Sequence, residues 1–300
     1  MTDPADELAS LAAQSLAWAE LDLGFGVSAT VGPPRLAGAD RPRDVARPAR
    51  APAPIVSPAP VRPATVEPAP VAAPLPPSPA VARVAPTTLG PLPGSDEPAL
   101  VARRAGNAPR LAAIQARLEG CTRCALAAGR QKIVFGQGDP AAELVFVGEA
   151  PGEVEDRTGL AFVGPAGELL TKMIAAMGLT RDEVYIANIA KCRPPGNRPP
   201  AADEMATCLP FLEEQLDVIR PKVICALGKT AGIGLGLLRA GDAITRLRGR
   251  FYRWRETPVM LTFHPSYLLR SPDEKRKTWQ DLQQIFPMLE RRRTDGPRAS

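Results

Sequence analysis

Four short apolar runs, each ended by a glycine or polar turn, set the frame of the chain's second half: residues 143–148 (ELVFVG), 183–190 (EVYIANIA), 222–228 (KVICALG) and 259–264 (VMLTFH). Continuous apolar runs of this length fit strands buried on both faces. Between and around them apolar residues return at helical spacing over 165–177, about 202–219, 230–239 and 273 to about 292. Pro165 suits a first helical turn and Gly178 a stop, whereas Pro210 inside the second segment predicts a kink or break near Thr207. Strand and helix in alternation predict an α/β fold, a parallel sheet covered by helices on both faces.

Upstream the pattern stops. Between Val31 and Leu100 the chain carries 19 of its 35 prolines, mostly in Pro-Ala, Ala-Pro and Pro-Pro steps. Proline lacks an amide donor and fixes φ, so neither a helix nor a central strand survives that density. The stretch lacks a Gly-every-third repeat and Ser/Thr enrichment, and is read as an extended, disordered linker. The expected organisation is a short N-terminal helical segment over 1–30, a Pro/Ala-rich linker over 31–105, a folded domain over 106–293 and a disordered tail over 294–300. The head places Leu8, Leu11, Ala12, Ser15 and Ala19 on one stripe, a candidate docking helix for a protein partner. Acidic Asp3, Asp6 and Glu7 stand where a secretory leader would be positive, and no apolar run approaches membrane-spanning length. A soluble, intracellular and cytoplasmic chain, monomeric and without a membrane partner, is expected.

Charge separates the two parts. Up to residue 100 the formal net charge is −3, and beyond it +8. The surplus is densest from Arg239 to Arg270, where Arg239, Arg246, Arg248, Arg250, Arg253, Arg255 and Arg270 meet only Asp242 and Glu256. Such a face suits phosphate contact, although an arginine run is often only a solvated surface.

Five cysteines in an intracellular chain point to metal or catalysis rather than disulfides. Cys121 and Cys124 form a Cys-x2-Cys pair, Cys192 follows a predicted strand, and Cys208 lies on a predicted helix. Four thiolates satisfy either tetrahedral zinc or a 4Fe-4S cluster, and the wide split between Cys192 and Cys208 favours the cluster. Cys225, inside VICAL, reads as a core residue.

Three predicted strands end in polar clusters: Gly148-Glu149-Ala150-Pro151-Gly152, Asn188 with Lys191-Cys192, and His264-Pro265-Ser266. Open parallel sheets bind ligands beyond the carboxyl ends of their strands, so these clusters are candidates for one site. Gly228-Lys229-Thr230 has the tail of a phosphate-binding loop, but Val223 stands where its first glycine is required, which removes nucleotide hydrolysis. His264 is the only histidine; its place at the end of an apolar strand marks it for chemistry more than its count does.

These motifs, GEAPGEVED from Gly148, GLAFVG from Gly159, NIAKCRPPGNR from Asn188 and HPS from His264, together resemble the family 4, iron–sulfur-containing uracil-DNA glycosylases. The resemblance spans about residues 111–289. It implies a four-stranded parallel sheet flanked by helices, and a structural 4Fe-4S cluster on Cys121, Cys124, Cys192 and Cys208. It also implies a monofunctional DNA-repair hydrolase that removes uracil from DNA in base excision repair and leaves an abasic site. Phe162 would stack on the flipped base, Asn188 would read its edge, Gly148 and Ala150 would line the pocket, and His264 would stabilise the departing uracil. Where better-known uracil glycosylases carry an aspartate this chain has Ala150, which leaves Glu149 and, in preference, Glu155 to orient water. Ser266, Leu268 and Arg270, with Arg253, would meet DNA, a leucine serving as wedge. The competing reading is a non-catalytic nucleic-acid-binding protein carrying the cluster or zinc; it leaves Phe162, Asn188 and His264 unexplained.

Overall fold

The computed structural model describes residues 97–289. The head, most of the expected linker and the C-terminal tail lie outside the described residues. The described chain opens with helix α1 (Glu97–Ala116). This helix starts inside the stretch assigned to the linker. Past Pro98 the prolines thin out, and alanine, leucine and arginine sustain a helix. Arg104 grips the carboxylate of Asp139 through Nε and Nη2, at 3.0–3.2 Å, and Asn107 donates to the Pro140 carbonyl at 2.9 Å. Those bonds fasten α1 to the turn after the first strand.

The remaining elements are β1 (Gln137–Gly138), β2 (Leu144–Gly148), α2 (Glu153–Thr158), α3 (Pro165–Ala176), β3 (Tyr185–Asn188), α4 (Ala202–Ile219), β4 (Val223–Leu227), α5 (Gly228–Gly234), α6 (Ile244–Leu247), β5 (Arg250–Trp254), β6 (Thr257–Thr262), α7 (Pro265–Arg270) and α8 (Lys275–Gln283). The sheet order is β1-β3-β2-β4-β6-β5. The central four strands are parallel, as expected, while β1 and β5 add antiparallel edges, so the sheet is six-stranded and mixed. Helix α4 runs through Pro210 without a break. The helix expected over 230–239 is shorter and earlier: after Gly234 the chain turns back, Leu237 donating to the Gly232 carbonyl, with Gly236 in the left-handed region at φ 72°. The last predicted helix is divided into α8 and flanking 3-10 turns, Pro272–Glu274 and Phe286–Met288.

Side-chain alternation along the strands divides the core into two layers. Leu144, Phe146, Ile186, Val223, Cys225, Leu227 and Met260 face one side, where Leu170 and Met173 of α3, Leu268 of α7 and Trp279 and Leu282 of α8 cover them. Val145, Val147, Ala187, Ile224, Ala226, Val259 and Leu261 face the other, under Leu111 and Ile114 of α1 and Leu212 and Leu216 of α4. One buried polar junction ties the last helix to the sheet: Asp281 accepts from Thr262 Oγ1 at 2.6 Å and Arg248 Nε at 2.8 Å. Among the described residues no helix is long and apolar enough to cross a membrane.

Candidate active site

The three polar clusters meet at the carboxyl edge of the parallel strands. Gly148 and Asn188 are Cα partners on neighbouring strands, each the last residue of its strand. His264 lies just beyond β6, and a Cβ added to Gly228 at the end of β4 would come within 2.9 Å of His264 Cβ. Sheet topology alone therefore gathers residues that stand more than a hundred positions apart.

Asn188 is 2% exposed, and among the described residues its Oδ1 has no hydrogen-bond partner. A buried acceptor left unpaired costs about 1–3 kcal/mol, so the fold holds it at a penalty. Gly148 is required beside it, because a Cβ there would lie 2.4 Å from both Asn188 Oδ1 and Phe162 Cζ. Phe162 is buried, with its backbone in the left-handed region at φ 51°. For a bulky residue this conformation costs on the order of 1–3 kcal/mol and persists only where the surroundings impose it. Its ring centroid lies 5.6 Å from that of His264.

His264 is half-buried and caps α7: Nδ1 accepts from the Ser266 amide at 3.1 Å and lies 2.8 Å from Ser266 Oγ. Burial, and secondarily the charge of Arg270, pull its pKa down to about 4. The ring is thus neutral near pH 7. With Nδ1 accepting from an amide, its proton belongs on Nε2.

Glu155 is buried on α2, and its Oε1 accepts from the amides of Val163 at 2.9 Å and Gly164 at 2.7 Å. The carboxylate expected to orient water is therefore engaged under the Phe162 loop. Glu149 is half-buried at the end of β2, and its carbonyl accepts from the Ala190 amide at 3.0 Å. Ala150 packs towards Leu126, Ala190 and Cys192. Asp156, which the sequence did not single out for a role, is buried and accepts from the amides of Gln131 at 2.9 Å and Lys132 at 3.4 Å.

Two of the expected DNA contacts require correction. Leu268 is fully buried in the core, because α7 turns it inward, and the half-buried leucine of this helix is Leu269. Arg253 pairs in register with Pro258 at the start of β6, the end remote from His264, and forms an ion pair with Glu256 at 2.9 Å. The hairpin arginine towards the site edge is exposed Arg250, opposite Leu261. Ser266 sits on His264, and Arg270 is exposed at the end of α7.

Cys121, Cys124, Cys192 and Cys208 are all free thiols. Burial pushes up the pKa of Cys192, with Cys208 and Cys124 adding to the rise; burial likewise raises Cys208, with contributions from Cys124 and Cys121. Cys124 packs against the small cluster that holds Cys192, and Cys208 lies against the amide of Lys191, the residue before Cys192. Lys191 donates its amide to Cys208 Sγ at 3.2 Å, and Arg130 Nη1 donates to Cys192 Sγ at 3.5 Å. Among the described residues no three His, Cys, Asp or Glu side chains are grouped at metal-site spacing. Cys225 is enclosed in the sheet core, as expected, and burial holds its thiol well above the ordinary value.

Between the cysteines and the pocket lies Lys191, fully buried, a residue whose burial its neighbours in sequence do not announce. Its Nζ donates to the Asn188 carbonyl at 3.0 Å and to Gln215 Oε1 at 2.6 Å, and burial lowers its pKa to about 8.

Comparison with known proteins agrees with this geometry. Residues 135–283 match the model of the uracil DNA glycosylase superfamily. The chain is 44% identical over 172 residues to the type-4 uracil-DNA glycosylase of Sulfurisphaera tokodaii, covering 55% of this chain and 78% of that one. It is 44% identical over 183 residues to the type-4 enzyme of Thermotoga maritima, covering 59% and 94% respectively. To the type-5 uracil-DNA glycosylase of Pyrobaculum aerophilum it is 32% identical over 146 residues, 44% of this chain and 64% of that one.

Proposed function

Because the chain belongs to the type-4 uracil-DNA glycosylases, we propose that it hydrolyses the N-glycosidic bond of deoxyuridine in DNA, releasing uracil and leaving an abasic site. The observation that carries this reading is the unpartnered Oδ1 of buried Asn188, set beside the rings of Phe162 and His264.

A base inside a duplex cannot reach such a pocket and must first leave the stack. Phe162 then offers its face to the extruded ring. Asn188 Oδ1 accepts from uracil N3–H while its amide donates to O4; cytosine presents the opposite polarity at both atoms and would leave buried groups mismatched. As the bond to the sugar breaks, negative charge gathers on the uracil. Neutral His264 donates its Nε2 proton as a hydrogen bond towards O2, where that charge develops. The sugar, left with oxocarbenium character, needs a placed water more than a strongly activated one. With Glu155 Oε1 engaged by two amides, Glu149 is the carboxylate at the strand edge proposed to orient that water.

The chemistry of the donor set supports a 4Fe-4S cluster as the proposed occupant: four free cysteines, with an amide and a guanidinium aimed at two of the sulfurs. Cys121, Cys124, Cys192 and Cys208 would hold it, and its part would be structural, tying the segment after α1 to those after β3 and in α4. Ser266, Leu269, Arg270 and Arg250 are proposed to meet the DNA, and the N-terminal segment, outside the described residues, to dock a protein partner.

The direct test is an oligonucleotide carrying one labelled uracil, incubated with wild type or Asn188→Ala and then treated with alkali. Alkali-dependent scission by the wild type, and much less by the variant, is expected. A folded wild type that binds the oligonucleotide and leaves it intact would favour the non-catalytic reading.

A further inference from the structure

Phe162 is fixed from both sides by charged residues belonging to different elements. After it, Glu155 of α2 takes the amides of Val163 and Gly164. Before it, Arg181, in the turn between α3 and β3, donates Nη2 to the Ala161 carbonyl at 2.8 Å. The guanidinium is itself held: Nη1 donates to Thr171 Oγ1 at 3.0 Å, and that hydroxyl donates to the Gly167 carbonyl at 2.9 Å. Gly167 completes the seat, since a Cβ there would fall 1.9 Å from the Phe162 carbonyl oxygen.

A phenylalanine at φ 51° does not choose that backbone unaided. Every peptide group next to it is tied, and the tie on its N-terminal side comes from a residue outside all the motifs that mark the site. Resting on the glycosylase reading above, we propose that Arg181 is a positioning residue for base recognition. Through the Ala161 carbonyl it holds Phe162 in the strained conformation that presents its ring to uracil, with Glu155 securing the other side. Arg181 touches neither base nor sugar in this role.

The test is a double-mutant cycle on the full-length protein: wild type, Arg181→Met, Phe162→Ala and the pair, each assayed for single-turnover uracil release, inhibition by free uracil and affinity for undamaged duplex. Acting through Phe162, Arg181→Met should slow release about 30-fold or more and weaken free uracil, yet cost less than about 3-fold in the Phe162→Ala background. Arg181→Lys, which keeps one donor for the carbonyl, should recover part of the loss. Duplex affinity should not change. Should Arg181→Met fail to fold, Thr171→Val, which removes the guanidinium's second anchor together with that hydroxyl's bond to the Gly167 carbonyl, takes its place in the cycle with a smaller expected loss of the same non-additive kind. Equal losses in both backgrounds, no loss at all, or a loss of duplex affinity indicating a phosphate contact would each overturn the assignment. An inactive wild type would instead overturn the glycosylase reading on which it rests.

Discussion

The rings of Phe162 and His264 stand 5.6 Å apart with their planes inclined by 35°. They enter the site from unrelated loops, one after α2 and one after β6. The His264 ring is kept uncharged by burial and by the positive charge of Arg270.

A consequence for pH follows. With the His264 pKa drawn down to about 4, single-turnover uracil release should show no inflection at the ordinary imidazole value and should fall only as pH approaches that lower value. Folding stability has the same sign. Below the unfolded-state pKa the unfolded chain binds a proton that the folded chain refuses, so the contribution is complete above about pH 6.5 and is lost on acidification towards 4. Rate and denaturation profiles between pH 4 and 8 check both, and His264→Ala should lower the rate about 100- to 1,000-fold without restoring an inflection.

Asn188→Ala separates function from stability. Release of uracil should drop about 100-fold or more, since the base loses its reader. The melting temperature should stay level or rise, because the substitution removes a buried acceptor that has no partner. A fall of many degrees would mean that Asn188 supports the fold.

Gly148→Ala adds one methyl group where 2.4 Å is available to Asn188 Oδ1 and the tip of Phe162. Overpacking of this kind costs about 1–3 kcal/mol. The protein should fold and bind DNA, yet lose nearly all uracil release. Full activity would show that Phe162 moves aside freely.

Iron and acid-labile sulfide per chain should distinguish the cysteines. Cys121→Ser, Cys124→Ser, Cys192→Ser and Cys208→Ser should each lose most of the iron and lower the unfolding temperature, as should chelation of the wild type. Cys225→Ala should keep its iron and lose only about 1 kcal/mol of packing. Zinc in place of iron in protein prepared without oxygen would overturn the cluster assignment.

The central strands were legible because strands buried on both faces read as unbroken apolar runs, and LVFVG and VICAL are buried throughout. The edges were not. Strand β1 is two residues long, and β5, RFYRW, mixes two arginines with three aromatic rings without strict alternation, so its arginines read as a phosphate-binding surface rather than as an edge strand. Helix α7 is six residues long and begins with Pro265, which reads as a loop, and that is why Leu268 was expected at the surface. That Asn188, Phe162 and His264 come together was legible from motif and strand position. The work of Glu155 and Arg181 was not, because both act on backbone groups and such bonds leave no pattern in residue types.

Gly148 and Asn188 lie on the same rung of the sheet. The gap between these two residues is therefore the interstrand spacing, roughly 4.8 Å, which no side-chain replacement can widen. A variant that accepts a bulkier damaged base would have to gain its room from the loop carrying Phe162. In the proposed pocket the sheet side would be the jaw set by backbone alone, and any change of diet has to come from the other, whose seat is built from replaceable side chains.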